Sequence, residues 1–119
     1  MTDQFLPKTR LERAFIDWLI ERVTDDDLLA QLRGCGVRDR QHTVVGQYTG
    51  LEAPAGSKPT AAGPTIEGPR ITSPDLAEVA ACQLELEEGR LHYLEFFTFG
   101  DFFPVNPEEF ELSDEPLFS

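Results

Sequence analysis

Apolar and polar positions alternate most regularly between Val79 and Phe99, which indicates two β-strands. The dipeptide Glu88-Gly89 separates the two runs, and glycine accepts the positive φ that a two-residue hairpin turn requires. Counting outward from this turn pairs Glu87 with Arg90, Leu86 with Leu91, Glu85 with His92 and Leu84 with Tyr93. The face with the leucines is apolar and the other face is polar, as in an antiparallel sheet with one buried side.

Glu95 conflicts with this alternation. The same count places Glu95 on the apolar face, opposite Cys82 and between Tyr93 and Phe97. An isolated ionised carboxylate in an apolar layer is very unfavourable, so it needs a hydrogen-bond donor or must keep its proton. If Glu95 stays on this face, then Glu95, Tyr93, Phe97 and Cys82 are candidate ligand-binding residues, because carboxylates with perturbed pKa values cluster at functional sites.

Two structural arrangements would resolve the conflict without a ligand. A β-bulge near Tyr93 or Leu94 would turn Glu95 to solvent and Leu94 inward, and we prefer this interpretation. Alternatively, Glu95 forms a buried ion pair with Arg70 or Arg38, which would supply the missing charge partner. Only the bulge moves the carboxylate to the solvent face, whereas the ligand site and the ion pair both keep it on the apolar face.

Two helices are predicted before the hairpin. Thr9 and Glu12 form a capping box, and apolar residues recur at helical spacing behind it, so we expect a helix over about residues 10–22. A second helix is expected to start at Thr24, with three aspartates in its first turn, where carboxylates meet the positive end of the helix dipole. Gly34 is its expected left-handed stop.

The segment between the helices and the hairpin is extended or irregular. Thr43–Val45 and Tyr48-Thr49 favour a strand, and residues 65–72 favour a short strand pair or an irregular extended segment. Residues 53–64 contain three prolines and two glycines and therefore predict a mobile surface loop.

The C-terminal part is predicted to turn at Gly100-Asp101, to form a capped helical turn at residues 106–109 and to fray as an acidic tail over residues 114–119. We therefore predict a single α+β domain that spans residues 1–119. In this domain two N-terminal helices pack on one face of an antiparallel sheet of about four strands, which is built around the central hairpin.

Charge is distributed unevenly along the chain. The net charge is −12: residues 1–50 carry 7 Lys and Arg against 8 Asp and Glu, and residues 51–119 carry 3 against 14. This balance disfavours binding to nucleic acid through phosphate contacts and attraction to an anionic membrane. An acidic surface either serves solubility or attracts a basic protein partner.

The sequence has no motif that predicts a reaction. We find no Gly-rich phosphate loop, nucleophile elbow or metal-binding pattern, and we expect neither a metal nor a cofactor. Cys35 and Cys82 have no metal-ligand spacing and are expected to be reduced in a cytoplasmic protein, with a disulfide between them as the alternative. No apolar run approaches the roughly 20 residues of a membrane span, and the first ten residues lack the apolar stretch of a signal peptide.

A short motif in the hairpin resembles one in known proteins. An apolar strand and an acidic residue precede Gly-x-Leu-x-x-Leu-Glu, whose fixed positions are Gly89, Leu91, Leu94 and Glu95. This arrangement resembles the hairpin of small bacterial domains of unknown function, in which a Gly/Asp turn and a proline-containing tail often follow, as they do here at residues 100–104. The resemblance implies an α+β bacterial domain and no assigned reaction.

Two classes of function remain. The first is a non-enzymatic protein-binding module of the immunity or accessory type, whose acidic, Phe-rich face meets a basic toxin or effector, or another copy of the chain. Most of the nine phenylalanines follow residue 95, which indicates an exposed aromatic surface, with Phe102, Phe103 and Phe110 as interface candidates. The alternative is a small-molecule-binding protein or enzyme that uses Glu95 in the aromatic pocket described above.

Overall fold

A computed structural model describes residues 5–99, 102–104 and 107–114. It contains α1 (Arg10–Arg22), α2 (Asp26–Arg33), β1 (Gly36–His42), β2 (Gly46–Glu52), β3 (Thr65–Glu67), β4 (Arg70–Thr72), β5 (Ala80–Glu87), β6 (Arg90–Thr98) and β7 (Glu111–Ser113). The predicted α+β class with N-terminal helices is confirmed. The predicted number of about four strands is wrong, since the described residues form seven.

The strands form one antiparallel sheet in the order β1-β2-β6-β5-β4-β7, and β3 also pairs with β5. β3 and β4 lie along successive parts of the same edge of β5, because β3 pairs with residues 83–85 and Ile71 of β4 pairs with Ala80. β3, β4 and β7 contain three residues each, which is too short for a period-two pattern to be recognised. This is why sequence reasoning missed β7 and undercounted the strands.

The β5–β6 hairpin has the predicted turn. Glu88 and Gly89 adopt positive φ values of 51° and 78°, which a primed two-residue turn requires at both positions. Leu86 pairs with Leu91 across the ladder, as predicted. The turn therefore fixes the register of the leucines nearest to it.

His92 is the extra residue of a β-bulge in β6. Leu86 pairs with Leu91, but the next residue of β5, Glu85, pairs with Tyr93. The two pairs predicted beyond Leu86–Leu91 are therefore wrong, and the predicted bulge is confirmed at a position one residue before Tyr93. A bulge of this kind shifts every later side chain of the strand to the opposite face.

The bulge turns Leu94 and Phe96 towards the helices, where both are 0% exposed. Glu95 consequently lies on the opposite face of the sheet, where its carboxylate stays hydrated. Among the residues that the structure describes, neither Arg38 nor Arg70 lies within ion-pair distance of Glu95. The predicted core-face position of Glu95 and its buried ion pair are thus both wrong.

Both helices cover the inner face of the sheet. Phe15 of α1 meets Phe96 of β6 edge-on, with ring centroids 5.9 Å apart. The buried side chain of Gln31 in α2 accepts a hydrogen bond from the N–H of Leu91 at 3.0 Å and donates to the carbonyl of Gly89 at 2.9 Å. Gln31 therefore fixes α2 against the hairpin turn, and neither described helix lies on the other face of the sheet.

α2 begins one residue later than predicted. Asp25, not Thr24, is the N-cap, and its carboxylate accepts a hydrogen bond from the N–H of Leu28 at 2.9 Å. Aspartate is a better N-cap than threonine, so the choice follows the usual ranking. Gly34 ends the helix as expected, but its φ of −111° is not left-handed.

Glu12 is a fully buried carboxylate between α1 and the sheet. It closes the predicted capping box, accepting a hydrogen bond from the N–H of Thr9 at 2.8 Å, and both its oxygens bind the guanidinium of Arg40 at 2.6 Å. Thr49 and Gln47 of β2 also donate to it, at 2.8 and 3.1 Å. Burial raises the pKa of Glu12, but the hydrogen bonds and the charge of Arg40 more than offset this and hold the pKa below its usual range.

Residues 53–64 form no regular element, as predicted, and the N–H of Thr60 donates to the carbonyl of Gly89 at 2.8 Å. The mobility of this loop stays a prediction.

Residues 43–45, predicted as strand, instead form the turn between β1 and β2. The predicted turn at Gly100-Asp101, the Asn106 cap and residues 115–119 lie outside the described residues, and Pro107–Glu109 is not helical.

Gly89→Ala should destabilise the fold more than Gly56→Ala. Both glycines have positive φ, 78° and 81°, so the backbone strain that alanine adds is similar. A Cβ at Gly89 would lie 2.7 Å from Cβ of Pro59 and 2.8 Å from the carbonyl oxygen of Thr60, whereas no atom of the described residues would lie within 4 Å at Gly56. We expect losses of at least about 2 and about 1 kcal/mol in urea unfolding. Equal losses would contradict the close packing of the turn.

Glu12→Gln should lower the free energy of unfolding at neutral pH by about 2–3 kcal/mol, because it leaves the Arg40 guanidinium facing a neutral amide in a largely buried site. The control is Glu21→Gln, whose exposed side chain lies 3.4 Å from Arg22. Since exposed ion pairs contribute little, we expect a change below about 0.5 kcal/mol for this variant. Urea unfolding of both variants measures the difference.

The same carboxylate should make stability depend on pH. The pKa of Glu12 is lower in the folded state, so the folded chain binds fewer protons and stability rises with pH. The stabilisation is complete above the unfolded pKa, about 4.3, and is lost as the pH falls through the lower folded-state pKa. Below about pH 4 the wild type should lose stability more steeply than Glu12→Gln, and parallel curves would argue against the ionised pair.

Candidate functional site

The candidate site is the face of the sheet that the helices leave uncovered, which we call the open face. It consists of the outward side chains of β1, β2, β6, β5 and β3: Gln41, Tyr48, Glu67, Gln83, Glu85, Tyr93, Glu95 and Phe97. Backbone pairing places Gln41, Tyr48, Glu95, Gln83 and Glu67 in one row across the five strands. Side chains in such a row are close enough to contact their neighbours.

Two tyrosines form the aromatic part of the open face. The rings of Tyr48 and Tyr93 meet edge-on, with centroids 5.5 Å apart and planes at 75°, and the His92 ring lies 4.9 Å from that of Tyr93. Because Gly50 has no side chain, a shallow cleft of about 370 Å³ opens between the two tyrosine rings and Asp39. Tyr48 is 38% exposed, so its ring is available to a partner.

Carboxylates form the other part of the face. Gln83 donates from Nε2 to Oε1 of Glu85 at 2.9 Å and to Oε1 of Glu95 at 3.0 Å, and Thr65 donates to Glu85 at 2.9 Å. Within the described part of the chain, no Lys or Arg nitrogen lies within 4 Å of the carboxylates of Glu67, Glu85 and Glu95. Neutral donors therefore orient Glu85 and Glu95 and leave their negative charge uncompensated.

These charges act on the tyrosines. The negative charge of the neighbouring Glu95 raises the pKa of Tyr48. Partial burial and the charges of Glu85 and Glu95 raise the pKa of Tyr93. Both hydroxyls therefore keep their protons well above neutral pH and offer hydrogen-bond donors beside the carboxylates.

The structure brings together only three of the four residues predicted to bind a ligand. Glu95, Tyr93 and Phe97 lie on the open face, but Cys82 lies on the inner face, where it is 4% exposed and its thiol donates to the carbonyl of Pro69 at 3.2 Å. The bulge at His92 separates them, because it moves the other three to the face opposite Cys82. The predicted pocket is therefore not assembled.

The predicted interface residues also divide between surface and core. Phe102 is 58% exposed, whereas Phe103 is 0% exposed and packs against Phe96 with ring centroids 6.3 Å apart. Phe110 is partly buried, with the guanidinium of Arg10 6.0 Å from its ring. An interface role can therefore apply only to Phe102 and Phe110, because Phe103 is enclosed in the core.

Sequence reasoning missed Tyr48 as a residue of the site. In β2 the polar side chains of Gln47 and Thr49 point into the core, where they reach Glu12, and the tyrosine between them points outward. This reverses the usual pattern of apolar inside and polar outside. The usable signal was the tyrosine itself, a large amphipathic residue enriched at interfaces.

Neither a metal-binding cluster nor an exposed thiol is found among the described residues. Across residues 5–99, 102–104 and 107–114, no group of three or more His, Cys, Asp and Glu is placed to hold a metal ion. Cys35 and Cys82 are both free and buried, and burial raises the pKa of each thiol, although Lys8 partly offsets this for Cys35. Neither thiol is therefore prepared to act as a nucleophile.

No protein-family model matches the chain, and neither the curated proteins nor the solved structures include a significant match. The resemblance of the hairpin to bacterial domains of unknown function therefore stays a prediction. In the described part of the chain, neither helix has the length and apolar character needed to cross a bilayer.

Glu95→Gln should lower the pKa of Tyr48, because it removes the charge that raises it most. The chain has two tyrosines, both on the open face, so the alkaline titration of tyrosinate absorbance reports only on this site. The control Glu67→Gln removes an equal charge two strands further from Tyr48 and should leave the midpoint almost unchanged. A midpoint that does not move in Glu95→Gln would contradict the described contact.

Proposed function

We propose that this protein is a non-enzymatic protein-binding module that docks a basic segment of a partner protein on the open face. The observation that supports this most directly is the set of carboxylates Glu67, Glu85 and Glu95, which share a face of the sheet with two tyrosines and have no cationic partner among the described residues. This proposal is more specific than one based only on the acidic net charge of the chain, because it names the surface that binds the partner.

Charge complementarity identifies the partner as basic. The net charge of −12 attracts cationic proteins over long distances and speeds their encounter. At contact, Lys or Arg side chains of the partner would meet Glu85 and Glu95, which Gln83 already holds in place. Little side-chain entropy is then lost on binding, which favours affinity.

The tyrosines add contact area and specificity. Tyr48 and Tyr93 support each other edge-on, so their rings are held in fixed orientations. A partner cation above an exposed tyrosine ring gains about 0.5–1 kcal/mol from the cation–π interaction. Phe97 extends the aromatic surface to Phe99, which is 51% exposed and 5.6 Å from it. The combination of Tyr, Phe and carboxylate side chains suits protein recognition better than solubility alone.

A binding role fits the chain better than a catalytic one. The two thiols are buried, and the cleft beside the two tyrosines is shallow and is lined by none of the carboxylates Glu67, Glu85 and Glu95. The two unpaired cysteines also support the expected reducing, cytoplasmic environment.

The test compares three proteins: the wild type, the open-face variant Glu85→Gln/Glu95→Gln, and the control Asp17→Asn/Asp26→Asn. The control removes the same charge from exposed residues of α1 and α2 on the opposite side of the sheet. Each protein is immobilised and exposed to native cell extract at low and high salt. A partner captured by the wild type is then purified and titrated against all three.

We expect a basic partner that binds the wild type and the control similarly and is released by high salt, because exposed ion pairs are screened. The open-face variant should bind it about tenfold more weakly or worse, since it removes two of the charges that the partner contacts. Equal affinity for the open-face variant and the control would assign binding to another surface. Capture of no protein at either salt would also argue against the proposal.

A further inference from the structure

A cavity lies at the hairpin end of the sheet, apart from the carboxylates of the open face. Its volume is about 720 Å³, and its lining includes Phe5, Leu51 and Leu91 as apolar surface, and Arg38, Arg90 and Glu52 as charged groups. Ligand sites for small molecules have volumes of about 300–1,000 Å³ and combine apolar walls with a few polar groups. This cavity has both properties.

Both guanidinium groups are held in place without being neutralised. Arg38 donates from Nη2 to the carbonyl of His92 at 3.4 Å, and Arg90 donates from Nη2 to the carbonyl of Ser57 at 3.2 Å. In the part of the chain that the structure describes, neither side chain has a carboxylate within 4 Å. Each guanidinium has five N–H donors, so most of them are available to a ligand.

The position of Arg38 follows from two bulges. Arg38 is the extra residue of a bulge in β1, because Val37 pairs with Leu51 while Asp39 pairs with Gly50. Its guanidinium reaches His92, the bulged residue of β6, whose backbone is outside the regular ladder. A Cβ at Gly50 would lie 2.3 Å from Oδ1 of Asp39 and 3.4 Å from Nη2 of Arg38, so the absence of a side chain at Gly50 makes room for the Asp39 carboxylate beside the Arg38 guanidinium. The fold thus places a cation at the rim of the cavity.

We propose that this cavity binds a small amphipathic anion, an organic carboxylate or phosphate monoester. Arg38 and Arg90 bind the charged group, since guanidinium forms strong charge-assisted hydrogen bonds with both oxyanions. The apolar part of the ligand rests mainly on the exposed ring of Phe5, because Leu51 and Leu91 also line the cavity but are only 1% and 7% exposed. Glu52 repels the anion from its own side of the cavity. This site does not depend on the proposed protein partner.

The first experiment compares four probes by calorimetry and by amide chemical-shift mapping: octanoate, octyl phosphate, inorganic phosphate and octylammonium. We expect octanoate or octyl phosphate to bind and to shift the amides of Gly34, Arg90 and Leu91. The stronger of the two identifies the preferred oxyanion. Octylammonium carries the same apolar chain with the opposite charge and should leave these three amides unshifted, and inorganic phosphate lacks the apolar part and should bind at least about tenfold more weakly.

The second experiment uses charge variants with the preferred probe. Arg38→Gln and Arg90→Gln should each weaken binding about tenfold, because each removes charge-assisted hydrogen bonds. Arg38→Lys keeps the charge but loses the forked donors and should lie between the wild type and Arg38→Gln. Arg13→Gln, an exposed change on α1 outside the cavity, should have no effect, and Glu52→Gln should tighten binding. Thermal unfolding of each variant confirms that the fold is intact, since all these side chains are exposed.

Several results would overturn the proposal. Equal shifts of the Gly34, Arg90 and Leu91 amides with octanoate and with octylammonium would show that the cavity recognises the apolar chain alone. Shifts confined to Phe99 and Phe102 would place binding on another exposed apolar surface. Equal affinities in Arg38→Gln, Arg90→Gln and Arg13→Gln would remove the two arginines from the site. Failure of all four probes to bind would show that the cavity is not a site for amphipathic anions. None of these results bears on the partner experiment at the open face, so the two proposals can fail separately.

Discussion

Two β-bulges decide which side chains reach each face of the sheet, and the rest of the structure depends on them. The bulge at Arg38 turns Arg40 inward, where its guanidinium meets the buried carboxylate of Glu12 at 2.6 Å. The bulge at His92 turns Leu94 inward and Glu95 outward. Without either extra residue, a charged group would lie in the apolar layer without its partner, which is strongly unfavourable. The bulges therefore allow β1 and β6, in which apolar and polar residues do not alternate regularly, to pack on one apolar core.

The core of this protein contains a polar network as well as hydrocarbon. Glu12 belongs to the helix cap and to the sheet at once, and its lone pairs are satisfied by Thr9, Arg40, Gln47 and Thr49. Because Gln47 and Thr49 must point inward to reach it, Tyr48 between them must point outward, since alternate residues of a strand face opposite sides. An aromatic residue of the candidate site is thus a consequence of a carboxylate buried on the other face.

Local signals in the sequence predicted much of the fold. The capping box at Thr9 and Glu12, the Glu88-Gly89 turn and the helical periodicity of residues 10–22 depend on neighbours in the chain, and all three are confirmed. The register beyond Leu91 could be stated only as alternatives, because the position of a bulge depends on packing between distant strands. The bulge is also the reason why the site was predicted only in part. It moves Glu95, Tyr93 and Phe97 to the open face, whereas Cys82 on β5 stays on the inner face. The cavity with Arg38 and Arg90 joins residues far apart in the chain, and no periodicity could reveal it.

The charged groups of this chain differ in the partners that hold them. Glu12 and Arg40 neutralise each other in the interior, and their pairing stabilises the fold. Glu85 and Glu95 are instead held by the neutral amide of Gln83, and Arg38 and Arg90 by backbone carbonyls. A neutral partner fixes the position of a charge but leaves its field directed at solvent, so the free energy of pairing remains available to a ligand. This difference is the physical reason to relate the first pair to stability and to propose binding for the other four residues, of cations on the open face and of anions in the cavity.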